Sequence, residues 1–454
     1  MVVAAICTVL LGRMSQVAPP PVEPPPVAAL APAHDPYAPL RLPAFRWFVT
    51  SILTMAMGAQ IQGLVVAWQM YSLTRDPLAL GIVGLAEALP FISLALPAGH
   101  VADVRDRRRV ALVALVVLFG CALALATLST LFARGLAPGA AARTGVYGII
   151  VVCGAARSFL LPARNALAAE IVPRPLFVSA VAWRTGIWQI AAVTGPAVGG
   201  LLYGWVGPTA SYVVAASLMS IAFFAVFRVR GALPRALREP APMLASVREG
   251  LRFLLERRLF LGAMTLDLLA VLFGGAVALL PIFAQDILRS GPQGLGLLRA
   301  APAIGAVVMS VFLALRRPHR RAGATFLGAV GVFGLTIIAF ALSRSLWLSV
   351  GVLAVGGAAD MLSINFRSTM MQVLVPPSML GRVSAVNQIF IGSSNEIGAF
   401  ESGLAARLLG TVPSVVVGGA ITVAVTLAVA WRVPELRRLD RIESELDRPA
   451  GQSS

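Results

Sequence analysis

The stretch Gly99-His100-Val101-Ala102-Asp103-Val104-Arg105-Asp106-Arg107-Arg108-Arg109 decides how this chain is read. It is a charged island between two apolar runs, residues 78–99 and 110–133. Each run has the length of roughly 20 residues that a helix needs to cross a bilayer. Basic loops stay on the cytoplasmic side of a membrane, so the four arginines place this turn inside the cell.

Outward from that turn the pattern repeats. Apolar stretches of spanning length lie at 45–73, 78–99, 110–133, 144–163, 177–203 and 208–228, then at 259–288, 294–315, 323–343, 346–368, 381–409 and 412–432. Hydrophobic residues make up 58% of the chain and charged ones 13%, against about 25% charged in an average soluble domain. That composition excludes a disordered protein and argues against a soluble enzyme. The expected fold class is all-α integral membrane, with twelve transmembrane helices in two six-helix bundles.

The formal charge of +17 comes from 37 basic and 20 acidic residues, and no lysine occurs, so every basic residue is arginine. A basic chain raises nucleic-acid binding as a reading. The positions answer it: with a cytoplasmic N-terminus, 28 of the 37 arginines fall on inward segments and seven on outward ones, while Arg157 and Arg184 lie inside spans. This is the bias of a multi-pass membrane protein with both termini cytoplasmic, and no nucleic-acid partner is expected. The partners expected are the bilayer and a small-molecule substrate, and the protein is expected to act as a monomer.

The chain divides accordingly. Residues 1–40, with Pro24-Pro25-Pro26, read as a disordered Pro-rich tail, and Met14 offers an alternative start. Residues 41–229 form the first six-helix bundle, 259–432 the second, and 433–454 a cytoplasmic tail. In the linker 230–258, Leu244, Val247, Leu251, Leu254 and Leu255 recur at helical spacing opposite Arg248, Glu249, Arg252 and Glu256. That pattern suits an amphipathic helix on the membrane surface or a plain connection. Cys7, Cys121 and Cys153, and His34, His100 and His319, show no metal-ligand spacing, so no metal or cofactor is expected.

Two stretches repeat internally. Pro162-Ala-Arg-Asn-Ala-Leu-Ala-Ala-Glu-Ile-Val-Pro173 corresponds to Asn365-Phe-Arg-Ser-Thr-Met-Met-Gln-Val-Leu-Val-Pro376. Arg164 then matches Arg367, and Gly195 and Gly200 match Gly398 and Gly403 at the same offset of 203. Two halves related in this way are a transporter architecture, with substrate held near the midplane between them.

The turn after the second span resembles the signature loop of the major facilitator superfamily: Gly99, Asp103, Arg107 and Arg108 match it, and Asp106 stands where many members carry a second glycine. The resemblance implies a conformational latch at Gly99, Asp103, Asp106, Arg107 and Arg108, in which an acid meets a helix N-terminus and arginines pair with it. An ordinary basic loop is the alternative. The loop after the eighth span, Arg316-Arg317-Pro-His319-Arg320-Arg321, has no acid. Gly195-Pro196-Ala-Val-Gly199-Gly200 resembles the end of the signature of the superfamily's drug:proton antiporters, and implies a gating helix at Gly195, Pro196, Gly199 and Gly200. Small-residue packing would select the same glycines. Phe159-Leu-Leu-Pro162-Ala163-Arg164, Ile171-Val172-Pro173 and Gly195-Pro196 are similar to the drug and siderophore exporter branch that includes the enterobactin exporter. The resemblance covers roughly 45–432 and implies an alternating-access secondary transporter that exports cargo against protons.

Ionisable groups at membrane depth are functional candidates, because their burial is costly. They are Glu87, Arg157, Arg184, Asp267, Asp360, Glu396 and Glu401. Glu87 and Glu396 are central in their spans and stand first as proton or substrate carboxylates, with Asp360 next. Arg157 could bind an anionic substrate or neutralise an acid, and structural ion pairs are the alternative throughout. Gln60, Gln62, Trp68, Gln69, Trp183, Trp188, Gln189, Asn387, Gln388 and Asn395 could line a cavity for an amphipathic cargo, or could serve helix–helix contacts and interface anchoring. The function expected is proton-coupled export of a small amphipathic molecule, drug or siderophore-like, across the inner membrane. A lysophospholipid or lipid flippase of the same fold is the alternative, and a membrane-embedded enzyme is disfavoured because no nucleophile constellation or phosphate loop is present.

Overall fold

The computed structural model describes residues 35–230, 249, 252–254, 258–315, 321–376 and 379–440. Within them, the side chains of residues 258, 381, 382, 385, 386, 388–393 and 396 also lie outside the description. Residues 1–34 of the Pro-rich tail, most of the amphipathic linker, Arg316, Arg317 and Arg320, and residues 441–454 fall outside it as well.

The described chain is helical throughout. In order come α1 (Pro43–Thr74), α2 (Pro77–Val104), α3 (Arg107–Ala133), α4 (Gly139–Ile171) and α5 (Phe177–Arg228), then α6 (Arg258–Phe273), α7 (Gly291–Leu315), α8 (Ala322–Leu342), α9 (Leu346–Leu374), α10 (Leu380–Leu409) and α11 (Thr411–Arg432). Among the described residues, ten helices are long and apolar enough to cross a membrane. The helices overrun the apolar spans at their ends: α4 ends at Ile171, eight residues past the apolar run. A helix satisfies its own backbone groups, so nothing stops it where the hydrocarbon stops.

Two elements depart from a single straight span. α5 is interrupted at Gly207, whose backbone (φ 79, ψ 179) is open to glycine and strained for other residues. The stretch read as one span at 259–288 is discontinuous: α6 ends at Phe273, and short helical turns occupy Ala276–Leu279, Leu280–Ile282 and Phe283–Ile287. Gly274 and Gly275 explain the break. A Cβ on Gly274 would lie 2.7 Å from the Phe333 ring, and one on Gly275 would lie 2.8 Å from the Ser402 hydroxyl oxygen. Irregular backbone at membrane depth is tolerated where it lines a cavity. α10 has spanning length, but Asn387, Asn395, Glu396 and Glu401 make it more polar than the ten.

The fold is apolar outside as well as inside. Val113, Val116, Phe224, Val308, Leu335 and Leu427 are all exposed on helix flanks, where lipid tails solvate them. Trp205, Trp347 and Trp431 are exposed at helix ends, the level at which tryptophan anchors in headgroups.

Small residues hold the halves together along two seams. On one, a Cβ on Gly200 of α5 would sit 2.5 Å from the Pro292 carbonyl oxygen and 3.0 Å from the Gly296 Cα of α7. On the other, a Cβ on Gly403 of α10 would sit 2.9 Å from the Gly81 Cα of α2. Gly200 and Gly403 are the repeat-related pair, and each performs the same close approach to the opposite half. Their partners Gly195 and Gly398 face the first helix of their own half: Gly195 abuts Gln60 and Gly398 abuts Leu272. Gly199 lies against Ile61. The gating glycines therefore divide their contacts, Gly195 and Gly199 packing within the first half and Gly200 across the seam, where the Pro196 carbonyl also approaches Gly296.

The seams lie toward the end away from Arg105–Arg109. At that far end Tyr71 donates to Asp286, Arg75 pairs with Asp286 at 2.9 Å, and Arg407 pairs with Asp76 at 3.5 Å, all across the halves. A Gly200→Leu substitution is expected to force this end apart, at an overpacking cost of about 1–3 kcal/mol. Distances between spin labels at Thr74 and Arg289 should lengthen in the variant relative to the parent protein.

Candidate functional site

The turn at residues 99–109 is built from the ends of α2 and α3. Asp106 caps α3: its carboxylate accepts from the backbone N–H of Arg108 (2.9 Å) and Arg109 (3.2 Å). The negative charge also complements the helix N-terminus. Arg107 pairs with Glu170 of α4 at 2.5 Å. Arg108 donates to the carbonyls of Val226 and Phe227 at the end of α5, and its guanidinium lies 5.2 Å from the Phe227 ring centroid. Cations at a helix C-terminus meet the negative end of its dipole. Asp103 is exposed in the last turn of α2 and has no hydrogen-bond or ion-pair partner among the described residues. Gly99 sits one turn earlier in the same helix. The turn is thus tied by arginine to its own half, and the acid that Arg107 meets is Glu170. That residue was missed in the sequence, although it is the single acid of the repeated stretch 162–173.

Between the halves lies a cavity of about 670 Å³. Gln60 and Gly63 of α1, Glu87 and Phe91 of α2, Arg157 and Arg164 of α4, and Trp188 of α5 wall the first half. Gly274, Arg299, Phe333, Asp360 and Asn395 wall the second. The aromatic faces and few polar groups match the composition of small-molecule sites. The cavity lies below the far-end contacts, and Trp188 in its wall is 49% exposed.

Two ion pairs bracket this space. Arg157 pairs with Glu87, bringing two of the sequence candidates together across α2 and α4. Gly154, one turn before Arg157, permits that approach: a Cβ there would overlap the Glu87 carbonyl. In the second half Arg367 of α9 pairs with Asp267 of α6, and both are buried. Asp360 lines the cavity with no hydrogen-bond or ion-pair partner among the described residues. The backbone of Glu396 is placed in α10, while its side chain lies outside the description. Glu401 is half-buried further along the same helix.

The polar group divides. Gln69 is buried in a chain of hydrogen bonds, donating to Ser129 at 3.2 Å and accepting from Tyr212 at 2.9 Å, so it serves helix packing. Gln62 reaches the Cys153 sulfur at 3.4 Å. Trp68 is buried against Tyr203, and Trp183 donates to the Pro36 carbonyl at 2.9 Å. Gln60, Gln62, Trp188 and Asn395 line the cavity. Arg299, counted in the sequence among outward helix ends, faces the cavity from within α7. Helix phase, which sequence position near a span end does not reveal, turns it inward.

Comparisons with known proteins agree with this architecture. The family described as transmembrane secretion effector matches residues 34–451. The multidrug efflux pump Tap of Mycobacterium tuberculosis is 27% identical over 428 residues, covering 90% of this chain and 98% of that protein. The enterobactin exporter EntS of Shigella flexneri is 26% identical over 416 residues, covering 87% and 93%. Among solved structures, a bacterial homologue of the iron transporter ferroportin in its inward-facing state superposes with a TM-score of 0.64 at 16% identity, covering 85% of this chain and 99% of that one. The nucleoside transporter NupG gives 0.68 at 12% identity, covering 86% and 100%.

Removing one partner of a partly buried pair leaves the other charge uncompensated. Arg157→Met alone is expected to destabilise the protein by about 1 kcal/mol, between an exposed pair and a buried one, and Glu87→Gln in the same background should recover part of that loss. A double-mutant cycle of thermal unfolding in detergent checks the coupling, and additive effects would contradict it.

Proposed function

This chain belongs to the transmembrane secretion effector family, a branch of the major facilitator superfamily, and from that membership we propose that it is a proton-coupled exporter of a small amphipathic molecule. It is a multi-pass integral membrane protein, and its relatives include efflux pumps for drugs and a siderophore exporter. The observation that carries the proposal is the cavity between the two halves, walled by aromatic groups, amides and a few intramembrane charges.

In this reading there are twelve spans. The break at Gly207 divides α5 into two crossings, and α10 adds one that is polar because it faces the cavity. Residues 41–229 and 259–432 are the two bundles, 230–258 the linker, and both termini are cytoplasmic in the inner membrane, as the arginine bias requires. The protein works as a monomer, since one chain contains both halves of the cavity.

The far-end seams and ion pairs close the cavity to the outside, so this form faces the cytoplasm. Export then requires Gly200–Gly296 and Gly403–Gly81 to separate and the Asp286 and Asp76 contacts to break. Gly99, Asp103, Asp106, Arg107 and Arg108 form the latch at the opposite end. Asp103 lacks a partner here because its end is open, and it meets the second half when that end closes. The repeat-related glycines Gly195 and Gly200, with Pro196 and Gly199, are the gating segment.

Proton coupling falls to Asp360 and the Glu87–Arg157 pair. Asp360 shares the field of Arg367 but not its hydrogen bond, which Asp267 takes, and this leaves its carboxyl able to take up and release a proton as the cavity changes sides. Glu87 is neutralised by Arg157, so it orders the wall unless cargo displaces it. Glu396 keeps its place as the candidate on α10.

The test is uptake of candidate drugs into energised inverted vesicles, with and without a protonophore. Accumulation that collapses with the proton gradient is expected, and Asp360→Asn should abolish it while leaving insertion intact. Gradient-independent lipid movement would instead assign the flippase activity. Gradient-driven uptake that persists in Asp360→Asn, Glu87→Gln and Glu396→Gln would remove these acids from coupling.

A further inference from the structure

The two halves treat one repeat-related arginine differently. Arg367, on α9, is buried against Asp267 of α6, the first helix of its half. Arg164 is its counterpart on α4. Its neighbour on α1, the first helix of its own half, is Met55, whose sulfur lies 3.9 Å from a guanidinium nitrogen. A thioether stands where the other half has a carboxylate. Arg164 therefore has no ion-pair partner in the cavity wall among the described residues, and its Nε, like that of Arg367, is buried with no acceptor.

Arg184 of α5 compounds the imbalance. It reaches the same end of α4, at the residue after Arg164. Its Nε is likewise buried without an acceptor, while its far nitrogen donates to Asn165 at 2.8 Å and its plane lies 5.8 Å over the Phe48 ring. Two acids of this half, Glu87 and Glu170, are engaged by other arginines, Arg157 and Arg107. Two guanidinium groups thus lie at the same end of α4, Arg164 in the cavity wall, with buried Nε donors and no ion-pair partner among the described residues. Partly buried cations of like sign cost desolvation and mutual repulsion, and an anion placed between them relieves both.

The geometry points to Arg164 and Arg184 as the docking site for an anionic group, a carboxylate or phosphate, carried by the transported molecule. The inference rests on the exporter reading for the identity of its occupant. Arginine suits the task because its planar fork pairs oxygen atoms two at a time. The site sits on the first half only, so an amphipathic anion would enter with its charge at Arg164 and its apolar part along Trp188.

The probes are 2-naphthoate and its neutral isostere 2-naphthamide, titrated calorimetrically into the full chain in phosphatidylcholine nanodiscs. The parent protein is expected to bind the carboxylate about tenfold or more tightly than the amide, the worth of a charge-assisted hydrogen bond. Arg164→Gln should remove that preference. Met55→Asp should remove it too, by giving Arg164 the internal partner that Asp267 gives Arg367, and this variant keeps the test informative if Arg164→Gln does not fold. Equal binding of the two probes to the parent protein overturns the inference, as does a preference that survives in either folded variant. Competition by phosphatidylglycerol nanodiscs would assign the arginines to a lipid headgroup and overturn the cargo reading. Because binding is read without transport, failed export with intact naphthoate selectivity would count against the exporter reading alone.

Discussion

Two helix bundles in a bilayer are not driven together by the hydrophobic effect, because lipid is as apolar as leucine. Close approach of backbones at small residues must supply the contact, and the rest of this structure depends on that. Gly200 against Gly296 and Gly403 against Gly81 bring α5 to α7 and α10 to α2 with no side chain between them. The repeat places one glycine of each pair at equivalent positions, so a single sequence device is used twice. Contacts this tight are also easily lost as a unit, since they rest on shape, with the Tyr71, Arg75 and Arg407 contacts among those at the far end that oppose separation.

With the halves joined at one end, the polar groups that remain inside acquire distinct tasks. Glu87 and Arg157 neutralise each other, as do Asp267 and Arg367. Asp360 on one side and Arg164 with Arg184 on the other have no such partner within the described residues. The broken backbone at Gly274–Gly275 lies in the same wall, where irregular structure can be solvated by the cavity. Symmetry in the backbone is thus combined with asymmetry in the charges: an acid without an ion-pair partner in the second half and two such arginines in the first, among the described residues.

Much of the fold was legible from the chain. The apolar runs foretold the helices, because hydrocarbon admits only segments that satisfy their own backbone groups. The offset of 203 picked out Gly200 and Gly403, which make like close approaches to Gly296 and Gly81. The site was legible less evenly. Glu87, Arg157 and Asp360 were found by charge at membrane depth and do line the cavity. Gln69 and Trp68 looked equally suited and are buried in packing, because their helix phase turns them from the cavity. Glu170 and Arg299 were passed over, one for lying at a helix end and the other for being counted as loop charge.

By itself, then, the sequence determined a multi-pass helical protein with two related halves and a short list of buried charges. Those properties follow from composition and spacing along one chain. Only the tertiary structure decided which charges cancel, which glycines bridge the halves, and that Met55 faces Arg164 where Asp267 faces Arg367. Pairing between helices distant in sequence depends on their relative rotation and depth, and a one-dimensional pattern does not carry that information.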